Sequence, residues 1–85
     1  MASYRVFIKP SAVKELVQIP LKDRKRLARR IEALAEDPRP PGCEKLSGQE
    51  RYRIRQGQYR VIYGIEDDHL IVLVVRVAHR RDVYR

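Results

Sequence analysis

Along the chain the spacing of apolar positions changes most clearly near residue 50. Before that point the dominant period is helical, and after it apolar side chains fall at every second position. Residues 4–9 (YRVFIK) alternate, with Tyr4 countable on either side, and predict a first strand. Pro10 stops it. Ser11 is then placed to cap a short helix in which Ala12, Val13, Leu16 and Ile19 recur at helical spacing, until Pro20 interrupts. From about Leu21 to Glu36 a longer helix is predicted, with Leu27, Ala28, Ile31, Leu34 and Ala35 on one stripe. Two helices joined so tightly predict an antiparallel helical hairpin.

The run Asp37-Pro38-Arg39-Pro40-Pro41-Gly42 cannot continue a helix, and a loop through Leu46-Ser47-Gly48 follows it. Three strands are predicted next, at about 50–55, 59–66 and 69–77. Gly57-Gln58 and Asp67-Asp68 read as the turns of two hairpins. The order β-α-α-β-β-β predicts an α+β fold: a small antiparallel-rich sheet with the helical hairpin packed on one face. Eighty-five residues without an internal repeat or linker are expected to make one domain, 1–85.

Composition narrows the class. A 44% hydrophobic content supports one modest core despite 35% charged residues. Cys43 is the single cysteine, so no internal disulfide can form, and a small secreted domain would usually carry several. The start, MASYRVFIKPSAV, has no signal-like apolar run. The longest apolar run, Ile71 to Val75, suits a buried strand and not a membrane span. A cytoplasmic location and no membrane partner are expected.

Charge changes the picture further. The net charge is +8, and 14 of the 19 basic residues are arginine. The excess is spread over both halves of the chain, so it is not a tail. A field of this sign favours nucleic acid, an acidic protein or an anionic membrane. Arginine in particular holds phosphate oxygens through two parallel hydrogen bonds, which an ammonium cannot do.

The hairpin around Gly57-Gln58 gives that charge a geometry. It sets Gln56 opposite Tyr59, Arg55 opposite Arg60 and Arg53 opposite Ile62. Tyr52, Ile54, Tyr59, Val61, Tyr63 and Ile65 then share the core face, while Arg53, Arg55 and Arg60 share the other. No acid stands between residues 51 and 65 to neutralise them. Like charges opposite one another cost stability, so three converging arginines point to a bound anion; taken singly, each reads as a solvated surface arginine.

His79-Arg80-Arg81-Asp82-Val83-Tyr84-Arg85 follows the last strand, with Arg80 and Tyr84 at a strand end; a frayed basic tail is the equal alternative. On the second predicted helix, Lys22, Lys25, Arg26, Arg29 and Arg30 form a basic face. It reads either as solvated charge or as a contact for the phosphates of structured RNA, and Lys45 joins that RNA-binding set. Cys43, His69 and His79 stand singly, and the nearest acids lie in a turn, so neither metal nor small-molecule cofactor is expected. There is no glycine-rich phosphate loop and no nucleophilic triad.

In this order the motifs resemble the RelE/ParE superfamily of toxins from type II toxin–antitoxin systems. The resemblance is carried by Pro10-Ser11-Ala12 with Lys14-Glu15-Leu16, Leu34 with Asp37-Pro38, and Lys45-Leu46-Ser47-Gly48. It continues through Tyr52-Arg53-Ile54-Arg55, Gly57-Gln58-Tyr59-Arg60-Val61-Ile62-Tyr63 and His79-Arg80-Arg81-Asp82-Val83-Tyr84. It implies a RelE-like fold, a co-encoded antitoxin as partner, and one of two targets. RelE-like members are ribosome-dependent endoribonucleases acting on messenger RNA; ParE-like members inhibit DNA gyrase. The resemblance favours the first. It implies that Arg53 and Arg55 surround the scissile phosphate, that Arg60 binds it, and that Arg80 and Tyr84 complete the site. RelE-type chains often carry lysine where Arg53 and Arg55 stand, and arginine cannot serve as a base. Proton transfer is therefore left to Tyr84, which the resemblance favours, or to His79, whose intrinsic pKa is better suited. An RNA-binding module without catalysis is the remaining alternative.

Overall fold

A computed structural model of the protein describes residues 3–81. The elements in chain order are β1 (Arg5–Ile8), α1 (Pro10–Val17), α2 (Leu21–Ala33), β2 (Glu44–Lys45), β3 (Tyr52–Gln56), β4 (Tyr59–Glu66) and β5 (Ile71–His79). The five strands form one sheet in the order β1-β5-β4-β3-β2, antiparallel except where β1 runs parallel to β5. The α+β class and the helices over one sheet face are as the periodicity predicts. No helix among the described residues is long and apolar enough to cross a membrane.

The core lies between the helices and that face. Ala12 and Ile19 come from α1 and the residues just after it, and Leu27, Ile31 and Leu34 from α2 and its end. Ile54, Val61, Tyr63, Val72, Val74 and Val77 rise from the sheet to meet them. Tyr63 is fully buried, and its hydroxyl donates to the Pro38 carbonyl at 2.7 Å, fastening the proline-rich loop to β4. Burial, with the Cys43 thiol 3.2 Å away, pushes the Tyr63 phenol far above its ordinary pKa.

Several local expectations are corrected. Ser11 does not cap α1: Pro10 already occupies the first helical turn, Lys9 is the N-cap, and no side chain caps the helix. Proline fits there because its missing N–H would have no partner within the helix anyway. Val13 faces solvent instead of the core. The second helix stops at Ala33, and residues 34–36 form turns. The last strand is shifted two residues later, because the turn before it spans 67–70 and Leu70 adopts a φ of 53°. The two-residue β2 is an element that the periodicity does not reveal.

Where β1 ends, β5 continues, and α1 covers its free edge. The Glu15 carboxylate accepts the Val77 N–H at 2.9 Å and pairs with Arg76 Nε at 3.2 Å. At the opposite end, Asp67 in the β4–β5 turn accepts from Arg39 at 3.0 and 3.2 Å and from the Tyr4 hydroxyl at 2.7 Å. Arg39 also lies over the Tyr52 ring.

These bonds, that of Arg39 first and of Tyr4 second, hold the Asp67 carboxyl below its ordinary pKa. A depressed carboxyl contributes stability that is full above the unfolded value, about 3.9, and is lost as pH falls through the folded value. Asp67→Asn should therefore flatten the acid side of the stability profile. Its thermal midpoint is expected to fall less steeply than that of the wild type from about pH 5 to pH 2. Parallel curves would show that the clasp contributes nothing.

Candidate functional site

The register of the β3–β4 hairpin is the one expected: Gln56 pairs with Tyr59, Arg55 with Arg60 and Arg53 with Ile62. Gly57 has a φ of +60°, the left-handed conformation that such a tight turn requires and that glycine adopts without strain. Arg53, Arg55 and Arg60 thus share the sheet face opposite the helices.

Arg80 reaches the same face through an irregularity. Ile62 pairs with Arg76 but Tyr63 pairs with Val74, so Val75 is an extra residue in β5. Strict alternation from buried Val72 and Val74 would have turned residues 76, 78 and 80 toward the core. The bulge reverses this: Val77 points inward, and Arg76 and Ala78 join the outer face, opposite Ile62 and Arg60. The Arg80 N–H then donates to the Gln58 carbonyl at 2.7 Å, tying residue 80 to the hairpin turn beside Arg55 and Arg60.

Arg60 is the centre of this group. It is only 8% exposed, and its Nε and Nη1 are buried without a hydrogen-bond partner among the described residues. Burial lowers its pKa first, followed by the positive charges of Arg55, Arg53 and Arg80, with Glu44 acting the other way. An arginine still carries its charge at neutral pH under such a shift. The result is a buried guanidinium with unused donors in a positive field, which is the complement of a phosphate or carboxylate group.

Arg53 is held differently. Its Nη2 donates to Glu44 Oε2 at 2.7 Å, and its side chain is only 12% exposed. Sequence reading missed Glu44 because it lies on β2. The polar pair Glu44-Lys45 just before the Leu46-Ser47-Gly48 turn was the available signal of a short hairpin partner for β3. Arg55 and Arg80 are exposed.

The other predicted residues divide. His79 does not join the arginines: it pairs with Tyr59 on the core side of the sheet, its ring edge-on to that tyrosine at 5.6 Å. Its Nδ1 accepts the Arg81 N–H at 3.3 Å. The bulge is the physical reason, since it sends residues 77 and 79 to one face and 78 and 80 to the other. Tyr84 lies outside the described residues. Lys22, Lys25, Arg26 and Arg29 are exposed on α2 and, with Leu21, line a groove of about 500 Å³; Arg30 is half-buried beside them. This basic face belongs to the helical layer, so the sheet stands between it and the arginine cluster. Lys45, on edge strand β2, lies 3.6 Å from Glu50. Among the described residues no three His, Cys, Asp or Glu side chains gather as metal ligands.

Comparison with known proteins agrees with this architecture. The sequence profile for the ParE toxin of the type II toxin–antitoxin system parDE matches residues 6–84. The toxin RelG of Mycobacterium tuberculosis is 47% identical over 34 residues, which are 40% of this chain and 39% of that one. The structure resembles the toxin–antitoxin complex RelBE2 of M. tuberculosis with a TM-score of 0.84, at 27% identity over 96% of this chain and 97% of that one. The archaeal RelE–RelB complex of Pyrococcus horikoshii gives the same TM-score at 29% identity, covering 95% and 99%.

A buried guanidinium with unpaired donors should destabilise the protein that contains it. Arg60→Met is expected to raise stability by about 0.5–2 kcal/mol in buffer without multivalent anions. Added inorganic phosphate should raise the melting temperature of the wild type and leave that of Arg60→Met unchanged. A wild type indifferent to phosphate, together with a destabilised variant, would mean that Arg60 is held by partners inside the protein.

Proposed function

As the chain belongs to the RelE/ParE superfamily of type II toxin–antitoxin toxins, we propose that it is a ribosome-dependent endoribonuclease that cuts messenger RNA and stops translation. The observation that carries this reading is the buried guanidinium of Arg60, whose Nε and Nη1 have no hydrogen-bond partner among the described residues, set among Arg53, Arg55 and Arg80. A single backbone phosphate fits that site, with Arg60 as its principal donor and Arg55 and Arg80 closing over it from the exposed side.

In the proposed reaction the 2′-hydroxyl next to the bound phosphate attacks phosphorus. The O2′–P bond forms and the P–O5′ bond breaks. The 2′-hydroxyl gives up its proton, and the leaving 5′-oxygen takes one. The products are a 2′,3′-cyclic phosphate and a 5′-hydroxyl. Arg60, with Arg55 and Arg80, stabilises the extra negative charge of the phosphorane, the kind of preorganised charge that contributes most to such catalysis. Arg53 supports the site through its hold on Glu44. None of the arginines can act as a base, His79 lies on the core side of the sheet, and the family resemblance favours Tyr84, so the proton transfers are assigned to Tyr84. The α2 face, Lys22 to Arg29, is read as a second contact, to the phosphates of structured ribosomal RNA.

The named complexes of the structural relatives pair RelE with RelB, and RelBE2 is itself a toxin–antitoxin pair. By the same logic this chain is held inactive by a co-encoded antitoxin that places a carboxylate against Arg60 or Arg80. The sequence match to a ParE toxin supports the second reading, gyrase inhibition, and one experiment separates the two.

Programmed ribosomes mixed with the purified protein should yield cleaved messenger RNA with the ends named above, and cleavage should persist in EDTA under conditions that keep the ribosomes intact. Arg60→Ala and Arg80→Ala should each slow single-turnover cleavage by roughly 10²–10³-fold. Tyr84→Phe should slow it with little loss of binding. Intact messenger RNA, together with blocked supercoiling by purified gyrase, would replace this reading with the second.

A further inference from the structure

The outer sheet face has a second half, away from the arginine cluster, and it is apolar and indented. Phe7 and Leu73 lie side by side there on β1 and β5, 48% and 40% exposed. Gly64 continues their row on β4, opposite Leu73. Because Gly64 has no side chain, the guanidinium of Arg51 lies down against the strand backbone. A Cβ at position 64 would stand 3.1 Å from Arg51 Nη1 and 3.8 Å from its Cζ. Nη1 also donates to the Glu50 carbonyl at 3.2 Å. Between Arg51 on one side and Ile71 and Leu73 on the other runs a groove of about 310 Å³, with Gly64 in its lining and Glu50 and Glu66 beside it.

The walls define what fits. Two carboxylates disfavour a phosphate even with Lys45 3.6 Å from Glu50 and His69 3.2 Å from Glu66, and a purely aliphatic guest would leave the face of the guanidinium unmatched. A flat heteroaromatic ring meets every wall: one face against the guanidinium plane, the other against Leu73 and Ile71, and amino groups toward Glu50 or Glu66. Position matters equally. Gly64 and Arg60 point to the same face and stand four residues apart on β4, about 13 Å along an extended strand. Arg51 and Arg53 are alternate residues on that face, so a continuous row of guanidiniums leads from the phosphate position to the groove.

We propose that the Gly64 groove is a nucleobase subsite, taking a base that flanks the phosphate held by Arg60. This rests on the reading of the arginine cluster as an RNA-phosphate site and adds base selection to it. Gly64 is a shape-determining position, and Arg51 is the stacking residue.

The test compares two short labelled single strands by fluorescence polarisation at low salt: a hexaribonucleotide and the same sugar–phosphate backbone without bases. The wild type should bind the base-bearing strand roughly tenfold more tightly, the scale of one stacked base. Gly64→Val, which fills the groove and displaces Arg51, should remove most of that difference and leave affinity for the abasic strand unchanged. Arg51→Lys keeps the charge, loses the plane and should do the same; it carries the test alone if Gly64→Val does not fold. Arg60→Met should weaken both strands equally. Persistence of the tenfold difference in a folded Gly64→Val or in Arg51→Lys overturns the subsite. Loss of antitoxin binding by Gly64→Val with base discrimination intact also overturns it, by making the groove a protein-docking surface. A wild type that binds neither strand fails earlier, at the phosphate site itself, and the subsite falls with it.

Discussion

A guanidinium taken out of water needs a partner, and Arg60 has Nε and Nη1 buried with none among the described residues. Arg53, Arg55 and Arg80 raise the cost by adding positive charge around it. The fold meets that cost elsewhere. Helices α1 and α2 and the core beneath them hold the sheet from its other face, and the Glu44–Arg53 pair fixes the neighbouring arginine. The cluster is therefore not stabilising in itself. It is tolerated by a sheet stable enough to carry it, as is common where a site must be ready for a charged ligand.

The second constraint is the bulge at Val75. One extra residue decides which of the two C-terminal candidates can act with Arg60: Arg80 turns toward it, and His79 turns to Tyr59. It also frees the Val77 N–H at the open edge of β5, where Glu15 accepts it. A single local irregularity thus couples helix docking to site assembly, and deletion of Val75 would disturb both.

Much of this was legible in the residues. The Gly57-Gln58 turn fixed the register, and period-two alternation separated core tyrosines and aliphatics from arginines, because both signals are local. What could not be read was non-local or too short to have a period. Strand β2 has two residues, too few for a period to mark Glu44 as the partner of Arg53. The bulge breaks the alternation on which face assignment relies, so the faces of the residues after Val75 could not be read from the sequence. The burial of Arg60, on the sheet face opposite the helices, is a tertiary property that alternation does not reveal. The parallel pairing of β1 with β5 likewise needs a contact across nearly the whole chain. Ser11 was misread because proline at a first helical turn and serine as a cap compete for the same three residues.

The two basic surfaces, on the outer sheet face and on α2, lie on opposite sides of the molecule, so one flat polyanion cannot cover both. That arrangement suits a protein inserted between two nucleic-acid elements, with the proposed cleavage confined to the sheet side. Binding of a phosphate at Arg60 can be reported by the guanidinium itself. In a nitrogen-15 NMR titration with inorganic phosphate, the Arg60 Nε resonance should shift to saturation, while that of Arg39, already engaged by Asp67, should stay in place. An unmoved Arg60 resonance, or equal small shifts at all the arginines, would show that Arg60 is not a phosphate site.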